Sequence, residues 1–284
     1  MTIKTFQNKN IIMRLTQLFA SIWMVLIFSS CKNDPNRLSV VNSESFHESQ
    51  IQVYFQPDKT NIVSDSLAED SVRQIYTKEQ YNTLNQIDEM RSMTENIRKS
   101  GSDSIWIVLS NRWNEFNSEF AGIGQTNSAT NKIFPEAIAK WAELNVALVR
   151  LSGEVRFGDA IEKMLHGPED SFISERLLKS VIYTHVDDKI FINIIGPSSM
   201  EYQHTTGGNV SLIQETDYPE GDVMTLKSKC SDTRFMDVYI RIPSWAVNPT
   251  VTHGNVKYVA RPGEYTQISR KWKDGDEFRV DLKN

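Results

Sequence analysis

Residues 235–245 read FMDVYIRIPSW and residues 265–282 read YTQISRKWKDGDEFRVDL. Pro243 cannot donate to a sheet ladder and so ends or edges a strand. Asp274-Gly275 is a hairpin signal, because glycine enters positive φ without steric cost. Trp245 and Trp272 are large enough to anchor a core between two sheets. Working upstream, apolar runs at residues 190–195, 210–213, 223–226 and 251–260 recur about every ten residues, with Gly, Asp and Pro between them. That texture predicts an antiparallel β-sandwich over residues 176–284.

The preceding hundred residues have a different period. Tyr81, Leu84, Ile87, Met90, Met93 and Ile97 recur at spacings of three and four, the stripe of an amphipathic helix over residues 78–99. A second helix is expected over 104–120, with Trp106, Val108 or Leu109, Trp113, Phe116 and Phe120 on one face. A third is expected over 135–151, where Pro135 suits the first turn and Gly153 the stop. A fourth runs over about 157–165. These Met and aromatic stripes read as core. The chain is therefore expected to be α+β: a small helical unit at residues 77–175, then the sandwich.

Lys4, Lys9 and Arg14 precede an uncharged run, LFASIWMVLIF, at residues 18–28. This is the charged start and apolar middle of a secretion signal, too short for a bilayer span of about 20 residues. Ser29 and Ser30 then precede Cys31, a pattern that resembles the lipobox of bacterial lipoproteins. Residues 1–30 are read as the signal peptide, Cys31 as the lipidated first residue of the mature chain, and residues 31–76 as a polar tether with one strand-like island, IQVYF, at 51–55. Met13 also begins a complete signal. The expected location is the cell envelope, anchored in membrane through lipid on Cys31.

Loss of three positive charges with residues 1–30 takes the formal charge from −5 to −8, which argues against nucleic acid as a partner. With Cys31 lipidated, Cys230 is the one remaining thiol, so no intramolecular disulfide is expected. Cys230 reads as a small buried hydrophobe. His47, His166, His185, His204 and His253 show no metal-ligand spacing, and Gly207-Gly208 reads as a turn, not a phosphate cradle. Neither a bound metal nor another cofactor is expected.

Tyr183-Thr184 and Asp187-Asp188 before KIFINI, then QETDYP at 214–219, RIPSW at 241–245 and SRKWKDGD at 269–276, form an ordered series over about a hundred residues. In that order the series resembles the sandwich of glycoside hydrolase family 127, which includes β-L-arabinofuranosidases. Upstream, Arg150-Leu151-Ser152-Gly153 and Asp159-Ala160-Ile161-Glu162-Lys163 resemble the last helices of that family's α/α barrel. The likeness implies a helical unit that is a remnant of the barrel. It also implies a chemistry in which a cysteine nucleophile sits beside zinc held by further cysteines and a glutamate, with a second glutamate as acid/base.

On this chain, the family's Glu-Thr-Cys falls on Glu143-Leu144-Asn145, so the glutamate is kept and the cysteine replaced. The paired cysteines fall near Glu169-Asp170-Ser171, and the acid/base glutamate falls near Asn127. The resemblance thus implies a shortened relative without the catalytic cysteines. A barrel of about a dozen helices does not fit in residues 78–165 at about 1.5 Å per residue.

The leading expectation is a non-catalytic, envelope-anchored glycosidase-like protein that contacts an oligosaccharide or polysaccharide or pairs with a glycan-processing protein. Trp106, Trp113 and Trp141 are the candidate stacking residues if exposed. An active glycosidase would need two carboxylates about 5 to 9 Å apart, drawn from Glu143, Glu162, Glu169 and Asp170, with Glu143 as the catalytic candidate. A vestigial product without activity is the third reading.

Overall fold

The computed structural model describes residues 51–55, 76–120, 134–166 and 173–283. The signal at 1–30, Cys31, most of the tether, Asn127 and Glu169-Asp170-Ser171 lie outside the described residues. The described residues belong to one compact unit.

Four expected helices are present: α1 Lys78–Ser100, α2 Asp103–Phe120, α3 Pro135–Ser152 and α4 Val155–Leu165. Thr77 opens α1 with a reciprocal capping box to Gln80, and Gly101 closes it at φ 63°. Gly153 closes α3 in the same left-handed conformation, φ 65°. Leu84, Ile87, Met90 and Ile97 are buried, as the stripe requires, whereas Tyr81 is exposed. On α2, Leu109 faces the core and Val108 faces solvent.

A further helix, α5 Glu175–Ile182, is capped by Ser174, whose side chain accepts the Leu177 N–H. Its periodicity is hidden because its apolar Val181-Ile182 end runs directly into strand β2 Tyr183–Val186. The remaining strands are β1 Ile51–Phe55, β3 Lys189–Ile192, β4 Ser198–Gln203, β5 Asn209–Thr216, β6 Val223–Cys230, β7 Arg234–Arg241, β8 Thr250–His253, β9 Val256–Val259, β10 Tyr265–Trp272 and β11 Glu277–Asp281.

One sheet has seven strands in the order β1-β4-β5-β6-β11-β8-β9, and the other four in the order β10-β7-β3-β2. The island at 51–55 is an edge strand, paired antiparallel with β4 from Ile51↔Tyr202 to Phe55↔Ser198. The pairs are antiparallel except for β3 with β7, which run parallel because the chain crosses through the larger sheet between them.

Between the sheets lie Ile190, Ile192, Met200, Leu212, Met224, Leu226, Met236, Val238, Val280 and Trp272, all buried. The Trp272 indole N–H donates to the Met236 carbonyl at 3.2 Å, which satisfies the polar edge of a fully buried ring. Trp245 departs from expectation: it is 39% exposed. Pro243 ends strand β7 two residues earlier, so Trp245 follows the turn outward and leaves the sheet interface.

Candidate functional site

Asp159 and Glu162 stand three residues apart on α4 and therefore on one face. Both meet the guanidinium of Arg241, the last residue of β7, which is 0% exposed. Arg241 also donates from Nε to the carbonyl of Asn193, just beyond β3. Glu162 Oε1 accepts the Ile195 N–H at 3.1 Å, and the Tyr218 hydroxyl reaches Oε2 at 3.5 Å. The outer oxygen of Asp159 accepts the Ser244 N–H at 3.2 Å, and the Tyr265 hydroxyl donates to Asn193 Oδ1 at 2.7 Å. Burial opposes the charge on Arg241, but the two carboxylates outweigh it and hold the guanidinium protonated. Gly158 makes this approach possible: a β-carbon there would lie 2.7 Å from Arg241 Cδ.

This cluster locks helix to sandwich. It also joins sequence features that are far apart, since Asp159-Ala160-Ile161-Glu162-Lys163, KIFINI, QETDYP and RIPSW each contribute a group. The two carboxylates share the single charge of Arg241, and Glu162 serves as the buried counter-charge within the joint.

The tentative catalytic residue lies elsewhere on the helices. Glu143 projects from α3 into solvent, its side chain 46% exposed, and pairs with Arg91 of α1 at 2.9 Å. Asn145, two residues on, is 0% exposed. Its Oδ1 accepts the Trp113 indole N–H at 2.9 Å and its amide donates to the Trp141 carbonyl at 2.8 Å. Trp113 and Trp141 stack with ring centres 5.7 Å apart. With Trp106, they are buried, so these three tryptophans pack the helical unit and offer no ring face to a glycan.

The described histidines are dispersed. His166 lies edge-on to Tyr218 with centroids 4.9 Å apart, and burial pushes its pKa down to about 4. His185 and His253 reach the carbonyls of Asp187 and Glu277. His204 Nδ1 accepts the Thr206 N–H, so Nε2 carries the proton toward Phe235 O. Burial raises the pKa of the Cys230 thiol, which accords with its reading as a small hydrophobe. Among the described residues, no three His, Cys, Asp or Glu side chains converge on a possible metal position.

Residues 189–284 match the family model of the GH127 β-L-arabinofuranosidase middle domain. That span contains KIFINI, QETDYP, RIPSW and SRKWKDGD. A GH127 β-L-arabinofuranosidase from Geobacillus stearothermophilus T6 is similar in structure, with a TM-score of 0.55, 16% identity, 69% of this chain covered and 41% of that one. A second GH127 β-arabinofuranosidase gives a TM-score of 0.51 at 16% identity, with 70% and 42% covered. No curated protein matches the chain. At these identities the structural likeness concerns the fold. The chain spans about two fifths of the length of these GH127 structures.

The resemblance to GH127 therefore rests on sequence across the sandwich and on fold across helices and sandwich together. Glu143 and Asn145, where the sequence resemblance places the family's glutamate and ligand cysteine, lie outside the matched span 189–284; Glu143 faces water and Asn145 lies inside the helical core. Asn127 and Glu169-Asp170-Ser171, where the other family features fall, lie outside the described residues. The sequence motifs contain Asp159, Glu162, Asn193, Tyr218, Arg241 and Ser244 but neither Gly158, Ile195 nor Tyr265, and they do not reveal the meeting, because pairings across 82 residues leave no local periodic signal.

Proposed function

We propose that this protein is a non-catalytic, GH127-like glycan-contacting protein of the bacterial envelope, anchored through lipid on Cys31. The observation that carries the non-catalytic reading is Asn145. At the position of a family zinc-ligand cysteine stands an amide whose hydrogen bonds are taken up by Trp113 and Trp141 inside a packed helix interface. A zinc-thiolate nucleophile needs a soft ligand set with an open side, and a buried carboxamide offers neither. Glu143 supports the same reading, since its carboxylate is exposed and faces Arg91.

What supports glycan contact is the likeness of the sandwich to arabinofuranosidases, together with the signal-like start and Cys31 read from the sequence. The test is hydrolysis and binding measured side by side on arabinofuranosides and neutral plant oligosaccharides. Binding without turnover is expected. Turnover abolished by Glu143→Gln would overturn the non-catalytic reading and establish a carboxylate mechanism. Anchoring is tested separately: labelled palmitate enters the protein and is lost in Cys31→Ser, and an unlabelled wild type would refute it.

A further inference from the structure

Trp245 is the exposed tryptophan among the described residues, and it is held in place from both sides. Before it, the Ser244 N–H is tied to Asp159 at 3.2 Å; after it, the Ala246 N–H closes a turn on Pro243 O at 3.1 Å and the Val247 N–H donates to Leu282 O at 2.8 Å. Its ring lies parallel to that of Tyr218, interplanar angle 2° and centroids 5.8 Å apart, and Tyr218 is in turn braced edge-on by His166. An exposed indole with a pinned backbone and a buried ring behind it cannot fold away from water. An indole held in this way presents a fixed apolar surface on which a ligand ring can pack.

The groups around the ring are polar. Lys283 Nζ lies 5.4 Å from the ring centre and pairs with Asp222 at 3.0 Å. Lys283 is 55% exposed, so its ammonium, while paired with Asp222, still has an open side to meet a hydroxyl. The Asp159 carboxylate, 20% exposed, holds the backbone N–H of Ser244, the residue before Trp245. A flat apolar surface ringed by donors and acceptors matches a sugar ring, whose C–H face is apolar and whose rim carries hydroxyls.

We propose that Trp245, with the Lys283–Asp222 pair beside its ring and its backbone pinned through Asp159, forms a contact platform for a neutral oligosaccharide. The proposal rests on the glycan-contact reading above and gives that reading a site. Neutrality follows from charge: Asp159, Glu162 and Asp222 face two cations, Arg241 and Lys283, so an acidic sugar would meet surplus negative charge.

The test is titration calorimetry of the purified protein with neutral arabino-, xylo- and galacto-oligosaccharides and with an oligogalacturonide as the acidic probe. At least one neutral probe binds, and the acidic probe does not. Trp245→Ala weakens that binding up to about tenfold, Trp245→Phe weakens it less because a ring remains, and Phe235→Ala, which removes an exposed aromatic elsewhere, leaves it unchanged. Unfolding curves of the three variants confirm that each is folded. Neutral binding that survives undiminished in Trp245→Ala overturns the platform and leaves glycan contact standing. Equal binding of the acidic probe overturns the ligand class. Absence of binding by every probe overturns both the platform and the reading beneath it.

Discussion

Replacing Arg241 with Ala removes the cation that, among the described residues, pairs with Glu162. The Glu162 side chain is 3% exposed and keeps the Ile195 N–H and the Tyr218 hydroxyl as neutral partners. An uncompensated buried carboxylate of this kind costs about 3–5 kcal/mol, a large share of a total stability of about 5–15 kcal/mol. Asp159 adds less, because part of its charge reaches water. The cost depends on pH with a definite sign. Burial already raises the Glu162 pKa with Arg241 present, and without the cation the folded variant holds its proton more tightly still. Between the ordinary glutamate pKa and that raised value, the folded state binds more protons than the unfolded chain, so the variant gains stability as pH falls. Urea unfolding, followed by fluorescence of the buried tryptophans, reads this directly: a deficit near neutrality that shrinks toward pH 5. Adding Glu162→Gln removes the orphaned charge while its amide oxygen still accepts the Ile195 N–H, so the double variant recovers most of the loss. A deficit below about 1 kcal/mol, the range of exposed pairs, would refute the reasoning. So would a deficit that grows on acidification or that Glu162→Gln leaves intact.

Gly158→Ala pushes a methyl group into Arg241 and is expected to cost about 1–3 kcal/mol, read by the same unfolding assay and relieved in an Arg241→Ala background. Asn145→Ala strands the Trp113 indole N–H and should cost about 1–3 kcal/mol, with a shift in tryptophan emission; an unchanged midpoint would remove Asn145 from the core role assigned to it. Trp272→Ala should cost about 3–5 kcal/mol as a cavity in the sandwich, whereas Trp245→Ala, half open to water, should cost clearly less in thermal unfolding. His166 stays neutral down to about pH 4, which NMR titration of its ring reads; because unfolding restores its ordinary affinity for protons, its contribution to stability falls as pH drops below that ordinary value.

The parts of this fold that sequence reveals are those with a local signature. The stripe of Leu84, Ile87, Met90 and Ile97, the glycine stops at Gly101 and Gly153, and the Asp274-Gly275 turn each declare themselves within a few residues. Helix α5 does not, because eight residues ending in Val181-Ile182 carry too few turns to separate a helical period from the strand that follows. Trp245 and Trp272 look alike as sequence, each a tryptophan beside a strand. Only their position relative to Pro243 and to the β10 register, where Trp272 pairs with Arg234, decides that one packs inward and the other faces water. The parallel pairing of β3 with β7 is likewise invisible, since nothing in either strand records its neighbour across the intervening larger sheet.

The joint at Arg241 gives these separate motifs one structural role. Arg-Ile-Pro-Ser-Trp places a guanidinium at the end of β7 and turns the chain at once, so that Ser244 can reach the same carboxylate that Arg241 binds. Asp159-Ala160-Ile161-Glu162-Lys163 supplies two acids at helical spacing with Gly158 before them, leaving room for the arginine stem. Neither half is stable alone, since a buried cation without acids or buried acids without a cation carries the desolvation cost unopposed. The motif set is therefore a device for docking a helix onto a sandwich, and its retention requires no catalysis. The joint keeps a fixed geometry in which Trp245, four residues beyond Arg241, stands exposed on a rigid base.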